Sequence, residues 1–319
     1  MIIARNKNDF LISIIVPVYN EEKNVPTLVK RVREVFNKNN IKYEIIFCLD
    51  PCTDQTEEVI KQERKIDPAV KLVTMSRRFG QPAATMAGIH SMSGDAGVVI
   101  DVDLQDPPEL IIDMIEKWKE GYEVIYAQRT SREGETLVKK IVSWLGYWLI
   151  NKITKVNIPR NTGDFRLIDR VVIDHLKILR DYDGFLRGLV AYIGFSQVAI
   201  PYKRAPRLVG EGNYNRYLGS LSIGINGIVG FSRYPLHIIS IVGLLISGGS
   251  FILGIVYLIL RVLHVEITWG NPTLVILISF FSGVQLLSLG IMGQYVARMY
   301  DSILSRPQFI IDKKFGFED

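Results

Sequence analysis

Two carboxylates one residue apart, Asp101 and Asp103, close a short apolar run and are followed by Gln105 and Asp106. Successive side chains of a strand point to opposite faces, but a strand that is turning into a loop can bring both carboxylates to one ion. Hard oxygen ligands suit Mg2+ or Mn2+, which keep part of their shell for phosphate oxygens, and the Gln105 side-chain carbonyl can add a third protein oxygen. The chemistry indicated is recognition of a diphosphate through a divalent cation. The chain contains no Gly-rich Lys-Ser/Thr phosphate loop, which disfavours an ATPase of that kind. Two further apolar runs end in polar clusters, Pro17-Val18-Tyr19-Asn20-Glu21-Glu22 and Asp50-Pro51-Cys52-Thr53-Asp54. Residue type alone leaves plainer roles open: Tyr19 as a packing aromatic, Asp54 as a helix N-cap or first-turn residue, and Asp106 before Pro107-Pro108 as the start of a helix. Asp164, by the same reading, is a turn residue after glycine, and Arg204 with Arg207 is a solvated cluster or a membrane-surface patch.

The elements that position these residues follow from periodicity. Ile12 to Val16, Tyr43 to Leu49, Val70 to Thr74, Gly97 to Asp101 and Glu123 to Ala127 read as strands. Asn24 to Phe36, Thr53 to Lys65, Pro82 to Ser91 and Pro108 to Lys119 carry helical spacing of apolar residues. This order predicts an α/β fold, a parallel sheet with helices on both faces, whose functional residues gather beyond the carboxyl ends of the strands. All three polar clusters stand at such exits.

The composition is uneven. In a chain of 319 residues with 22% charged residues, Tyr234 to Leu260 and Pro272 to Ala297 contain no Asp, Glu, Lys or Arg. Each stretch reaches about 40 Å as a helix, enough to cross a hydrocarbon core of about 30 Å with tilt. Both read as transmembrane helices, joined by a connector with His264, Glu266, Gly270 and Asn271 into a hairpin. Arg216 and Arg233 precede it, Arg298, Arg306, Lys313 and Lys314 follow it, and Arg261 alone marks the connector end, so the large domain is expected on the cytoplasmic side. Trp144 and Trp148 share a helical face, and that stretch, like Tyr217 to Phe231, fits either the membrane interface or packing against the large domain. Met1 to Asp9 shows no signal peptide. Cys48 and Cys52 are the two cysteines and make neither a disulfide framework nor a zinc site. The net charge of +5 fits a basic surface beside an anionic leaflet better than a nucleic-acid partner.

Asp101 to Leu110, DVDLQDPPEL, resembles the metal-binding segment of glycosyltransferase family 2, in its branch of polyprenyl-phosphate and dolichol-phosphate sugar transferases. VPVYNEEKN from Val16, SRRFGQPAATMAG from Ser76, NTGDFRLIDR from Asn161 and YKRAPRLVGEGNY from Tyr202 match in order, so the similarity spans almost the whole chain. The resemblance implies a GT-A, Rossmann-like catalytic domain over residues 1–215 with an interfacial segment near 137–153, a juxtamembrane helix at 216–233, two transmembrane helices within 234–300 and a cytoplasmic tail at 301–319. It also assigns roles. Pro17, Tyr19, Glu21 and Asp50 would hold the uracil and ribose of the donor, with Gln81 nearby. Asp101, Asp103 and Gln105 would bind the metal, with Asp101 also among the donor-binding residues and Asp103 also among the catalytic ones. Asp164 matches the acidic residue near the reacting centre, and Arg129, Lys139, Ser143 and Arg207 match positions around the acceptor phosphate. Three departures stand out: Leu49-Asp50-Pro51-Cys52 replaces Asp-Asp-Gly-Ser, Gly212-Asn213 replaces Ser-Lys before Tyr214, and Lys139 stands where a relative carries arginine.

The reaction implied is an inverting, in-line transfer of a sugar, with UDP-glucose as first choice of donor, onto polyprenyl (undecaprenyl) phosphate at the cytoplasmic face of a bacterial plasma membrane. Alternatives are the same transfer of mannose, aminoarabinose or an N-acetylhexosamine, or a non-catalytic scaffold or flippase subunit. A processive polysaccharide synthase is disfavoured, because the chain lacks a Gln-x-x-Arg-Trp motif and further spans. Two-span anchors with interfacial helices can also pack into a homo-oligomer.

Overall fold

The structure is a computed structural model and describes residues 9–130, 159, 162–179, 186–204, 232, 234–263 and 271–317. Its centre is one eight-stranded sheet. The strands are β1 (Leu11–Val18), β2 (Lys42–Leu49), β3 (Val70–Met75), β4 (Ala96–Val99), β5 (Val124–Arg129), β6 (Thr162–Asp169), β7 (Gln197–Tyr202) and β8 (Ile311–Phe315), in the spatial order β7-β5-β6-β4-β1-β2-β3-β8. β1 pairs in parallel with β2 and β4, and β2 with β3, whereas β6 runs antiparallel between β4 and β5. The chain leaves β1 towards β2 and β3, then returns to β4 on the other side of β1. The crevice between the carboxyl ends of β1 and β4 is therefore a topological switch point, where open α/β sheets take their ligands.

Helices cover both faces. α1 (Val25–Lys38), α2 (Thr56–Ile66) and α4 (Leu110–Lys119) pack on one, where Leu28, Phe36 and Trp118 meet Ile12, Ile14 and Val16. α3 (Gln81–Ser91), α5 (Arg170–Ile178) and α6 (Leu186–Ile193) pack on the other, against Ile15, Cys48 and Val73. This two-sided burial explains why the strands read as unbroken apolar runs. α3 lies close to the sheet at Gly88, where a Cβ would come within 2.4 Å of Ile15 Cγ2 and 2.8 Å of Cys48 Sγ. α7 (Tyr234–Val262) and α8 (Asn271–Leu304) are long and apolar enough to cross a membrane, and none of their most apolar windows is buried.

Several expectations shift. The fourth strand stops at Val99 rather than Asp101, which frees the acidic segment to turn. The second helix starts at Thr56 rather than Thr53, because Asp54 ties off a turn there: its carboxylate accepts from Thr56 N (3.1 Å), Thr56 Oγ1 (2.6 Å) and Glu22 N (3.3 Å). α4 begins at Leu110, and Asp106 is buried and accepts the Tyr202 hydroxyl instead of opening that helix. Asp164 lies within β6, so the reading of it as a turn residue is corrected. The segment read as a tail contributes β8, an edge strand antiparallel to β3.

Candidate active site

The acidic segment leaves β4 at the switch point and folds on itself. Leu104, buried, adopts φ 60°, a left-handed conformation that a leucine holds only where its packing compensates the strain. Asp103 Oδ1 then accepts the Gln105 backbone N–H at 3.1 Å. Gln81, at the start of α3, donates Nε2–H to Asp101 Oδ1 at 2.8 Å. Arg204, just beyond β7, places its guanidinium 4.0 Å from Asp103 and 3.6 Å from Asp106. Burial, then repulsion by Asp106, Asp164 and Asp103, pushes the Asp101 carboxyl up to about 7, against the opposing pull of Arg204.

This arrangement fits a divalent cation. Asp101, Asp103 and Asp106 share the Arg204 guanidinium, Asp164 adds repulsion although Arg187 pairs with it, and added positive charge would relieve the repulsion that holds Asp101 towards its neutral form. Among the described residues no three His, Cys, Asp or Glu side chains form a ready cage. A hexacoordinate ion held here would take the rest of its shell from water and a phosphate, the usual habit of Mg2+.

The exits of β1 and β2 are laced together beside this cluster. Pro17, one residue before the end of β1, pairs with Cys48 in register. Asn20, at φ 54°, donates Nδ2–H to Thr53 Oγ1 (3.0 Å), and its Oδ1 accepts Thr53 N–H (2.9 Å). Glu21 N–H reaches Thr56 Oγ1 at 2.9 Å. Tyr19 lies under the Arg78 guanidinium, 4.0 Å from ring centroid to Cζ, so this aromatic is half-buried and faces a cation just beyond the end of β1. Asp50 is buried, and its two oxygens accept the backbone N–H groups of Phe79 (3.0 Å) and Gly80 (2.8 Å). The loop between β3 and α3, with Gly80 at φ 91°, is thereby clamped to β2.

On the far side of Asp101, Asp164 Oδ1 accepts Arg187 Nε–H at 2.9 Å, and Arg187 Nη1–H reaches the Thr162 carbonyl at 2.8 Å. Arg166 lies buried next to this pair, donates Nη2–H to the Gly163 carbonyl (2.9 Å), and is lowered by burial to about 10. Arg129, at the end of β5, reaches Tyr202 Oη at 3.4 Å. Burial and Asp106 push the Tyr202 hydroxyl up to about 12.

Of the residues named from sequence, Asp101, Asp103, Gln105 and Gln81 come together at the β4 exit, with Tyr19, Glu21 and Asp50 on one flank and Asp164 and Arg129 on the other. Lys139, Ser143 and Arg207 lie outside the described residues. Sequence reasoning missed Arg78, Arg187, Tyr202 and Arg204 as parts of the site. Tyr202 and Arg204 stood inside a motif already marked, whereas Arg187 carried no signal, since only the packing of α6 brings it to β6.

The model of "Glycosyl transferase family 2" matches residues 13–177. The chain is 44% identical to the uncharacterized glycosyltransferase YkcC of Bacillus subtilis over 96% of this chain and 95% of that protein. It is 37% identical to the SfII prophage-derived bactoprenol glucosyl transferase of Shigella flexneri, over 95% of this chain and 97% of that one. The prophage bactoprenol glucosyl transferase homolog of Escherichia coli is 35% identical, over 95% of this chain and 98% of its own length. Among solved structures, the mannosyltransferase PcManGT of Pyrobaculum calidifontis aligns with 66% of this chain and 61% of its own, at 16% identity and a TM-score of 0.48. A family model covering half the chain, joined by relatives this similar along nearly its full length, settles the assignment: the chain is a glycosyltransferase and belongs to glycosyl transferase family 2.

Proposed function

We propose that the protein transfers glucose from UDP-glucose to polyprenyl phosphate at the cytoplasmic face of a bacterial plasma membrane. The observation that carries this reading is the match to bactoprenol glucosyl transferases over 95% of the chain, at 37% identity. Asp101, Asp103 and Gln105 would hold Mg2+ or Mn2+, which when bound neutralises charge growing on the departing diphosphate. Pro17, Tyr19 and Glu21 line the donor side, and Arg78 adds a cation there. Asp50 supports that side by clamping the 79–80 backbone.

An acceptor phosphate with a second pKa near ~6 is already largely dianionic at neutral pH, so it needs orientation more than a strong base. Asp164 fits a positioning role, because Arg187 already holds its carboxylate at 2.9 Å. Arg129, with Lys139, Ser143 and Arg207, receives the acceptor phosphate in this reading. α7 and α8 form the membrane hairpin that keeps the catalytic domain beside a lipid confined to the bilayer, raising its effective concentration, and the hairpins of several copies pack into a homo-oligomer.

The test is incubation of membranes carrying the protein with polyprenyl phosphate and, separately, radiolabelled UDP-glucose, UDP-N-acetylglucosamine and GDP-mannose. Labelled lipid from UDP-glucose is expected. Label from another donor alone would overturn the sugar, and no labelled lipid from any donor would overturn the reaction.

A further inference from the structure

Past the end of α8 at Leu304, residues 305–310 lead directly back to the catalytic sheet, where β8 covers the outer edge of β3. The pairing is antiparallel, Leu72 opposite Phe315 and Thr74 opposite Lys313, with an irregularity between Thr74 and Met75. Lys313 N–H donates to Thr74 Oγ1 at 3.1 Å, and beyond the ladder Ser76 N–H donates to the Ile310 carbonyl at 3.0 Å. Aromatic contacts flank the strand. The Phe309 ring meets the His90 ring edge-on at 5.3 Å and packs against the core layer beneath α3. Lys61 and Lys71 lie over Phe315 and Phe317 at 5.2 and 5.0 Å.

Among the described residues, Ser76 opens the loop through which the β3 exit reaches the site. Arg78 covers Tyr19, the N–H groups of Phe79 and Gly80 bind Asp50, and Gln81 binds Asp101. Blocking an exposed sheet edge needs only a short charged strand. It requires neither the Ser76 bond nor the Phe309 anchor under α3. The connecting residues 305–310, at about 3.5 Å each, span no more than roughly 20 Å, so the Ile310 carbonyl that holds Ser76, and with it the start of the loop, stays within about that distance of the end of α8.

We propose that β8 is a positioning brace: it holds the donor loop 76–81 in shape and, through residues 305–310, sets the height of that loop above the bilayer. This rests on the reading of α7 and α8 as membrane spans and of the loop as part of the donor site. The experiment uses the full-length protein in lipid nanodiscs and three altered chains. Lys313→Pro removes the N–H given to Thr74. A chain ending at Arg306 removes the brace and is assayed with and without a synthetic peptide of residues 307–317. The third chain carries a flexible Gly/Ser insert of about ten residues after Arg306, which lengthens the tether and leaves β8 unaltered.

Amide hydrogen exchange over residues 76–81 is expected to accelerate at least tenfold in Lys313→Pro and in the shortened chain, and the dissociation constant for UDP to rise by a similar factor. The peptide is expected to reverse both effects in the shortened chain, which separates brace loss from misfolding. The insert is expected to leave exchange and UDP binding unchanged, and to lower turnover on bilayer-embedded polyprenyl phosphate at least fivefold with a short-chain soluble prenyl phosphate unaffected. Wild-type exchange over 76–81 in both Lys313→Pro and the shortened chain overturns the brace, and wild-type turnover of the insert on bilayer lipid overturns the height-setting role. Failure of the unaltered protein to bind UDP counts against the proposed function alone, because the exchange readout needs no donor.

Discussion

Replacing Asp101 by asparagine removes one charge from the acidic cluster at the switch point while keeping the size of the side chain and an oxygen for Gln81. In the metal-free fold this carboxyl is raised from 3.8 to about 7 by burial and by Asp106, Asp164 and Asp103. At about 1.4 kcal/mol per tenfold, keeping Asp101 ionised costs up to about 4 kcal/mol, and its partial solvent access trims that to roughly 2–4 kcal/mol. Because the folded value lies above the unfolded one, the stabilising contribution is complete below about pH 4 and is lost as pH rises through about 7. Metal-free Asp101→Asn is therefore expected to match the wild type near pH 4 and to exceed its stability near pH 8, by about 5–10 °C in melting temperature for a domain of this size. Turnover is lost in the same variant. Thermal unfolding of the full-length protein in detergent micelles with chelator, scanned from about pH 4 to about pH 9, measures the effect. A stability difference between the two chains that stays constant with pH, or an asparagine variant less stable at pH 8, would refute the electrostatic account of the cluster. The same proton competes with the cation, so apparent Mg2+ or Mn2+ affinity of the wild type is expected to fall about tenfold per pH unit below about 7, as titration by Mn2+ resonance would show.

Asp50→Asn replaces one of the two oxygens that hold the Phe79 and Gly80 N–H groups with a donor, and is expected to weaken UDP and GDP binding alike by about 10- to 100-fold, the scale of one charged hydrogen bond. Calorimetry decides it: a loss confined to one nucleobase would mean that Asp50 reads the base. Asp164→Asn and Arg187→Met are expected to lower kcat about tenfold or more with a smaller change in donor KM, since they disturb one pair at 2.9 Å. Near-wild-type turnover at saturating substrates in Asp164→Asn and likewise in Asp103→Asn would defeat the site assignment. Gly88→Ala forces a methyl towards Ile15 and Cys48 and is expected to cost about 1–3 kcal/mol of stability, read by urea unfolding, with the kcat of the folded fraction retained.

The order of elements in the catalytic domain was legible because β1 to β4 are buried on both faces and the helices between them on one, which leaves a periodic record in the chain. The long helices were equally plain, since a stretch such as Tyr234 to Leu260, with no Asp, Glu, Lys or Arg, needs no partner to be recognised. Asp101, Asp103 and Gln105 could be named because their chemistry depends on neighbours in the chain. Arg187 and Arg204 could not, because each meets its carboxylate only through contacts between elements distant in sequence: α6 against β6, and the end of β7 beside the β4 exit. β8 is the clearest case. Its residues Ile311-Asp312-Lys313-Lys314-Phe315 read as a charged tail, and they become a strand only because β3 offers an open edge for antiparallel pairing. Local sequence thus determined which segments are helices, strands and acid-bearing turns, whereas tertiary packing decided which charges face each other, since an ion pair across the fold leaves no periodicity in the chain that makes it.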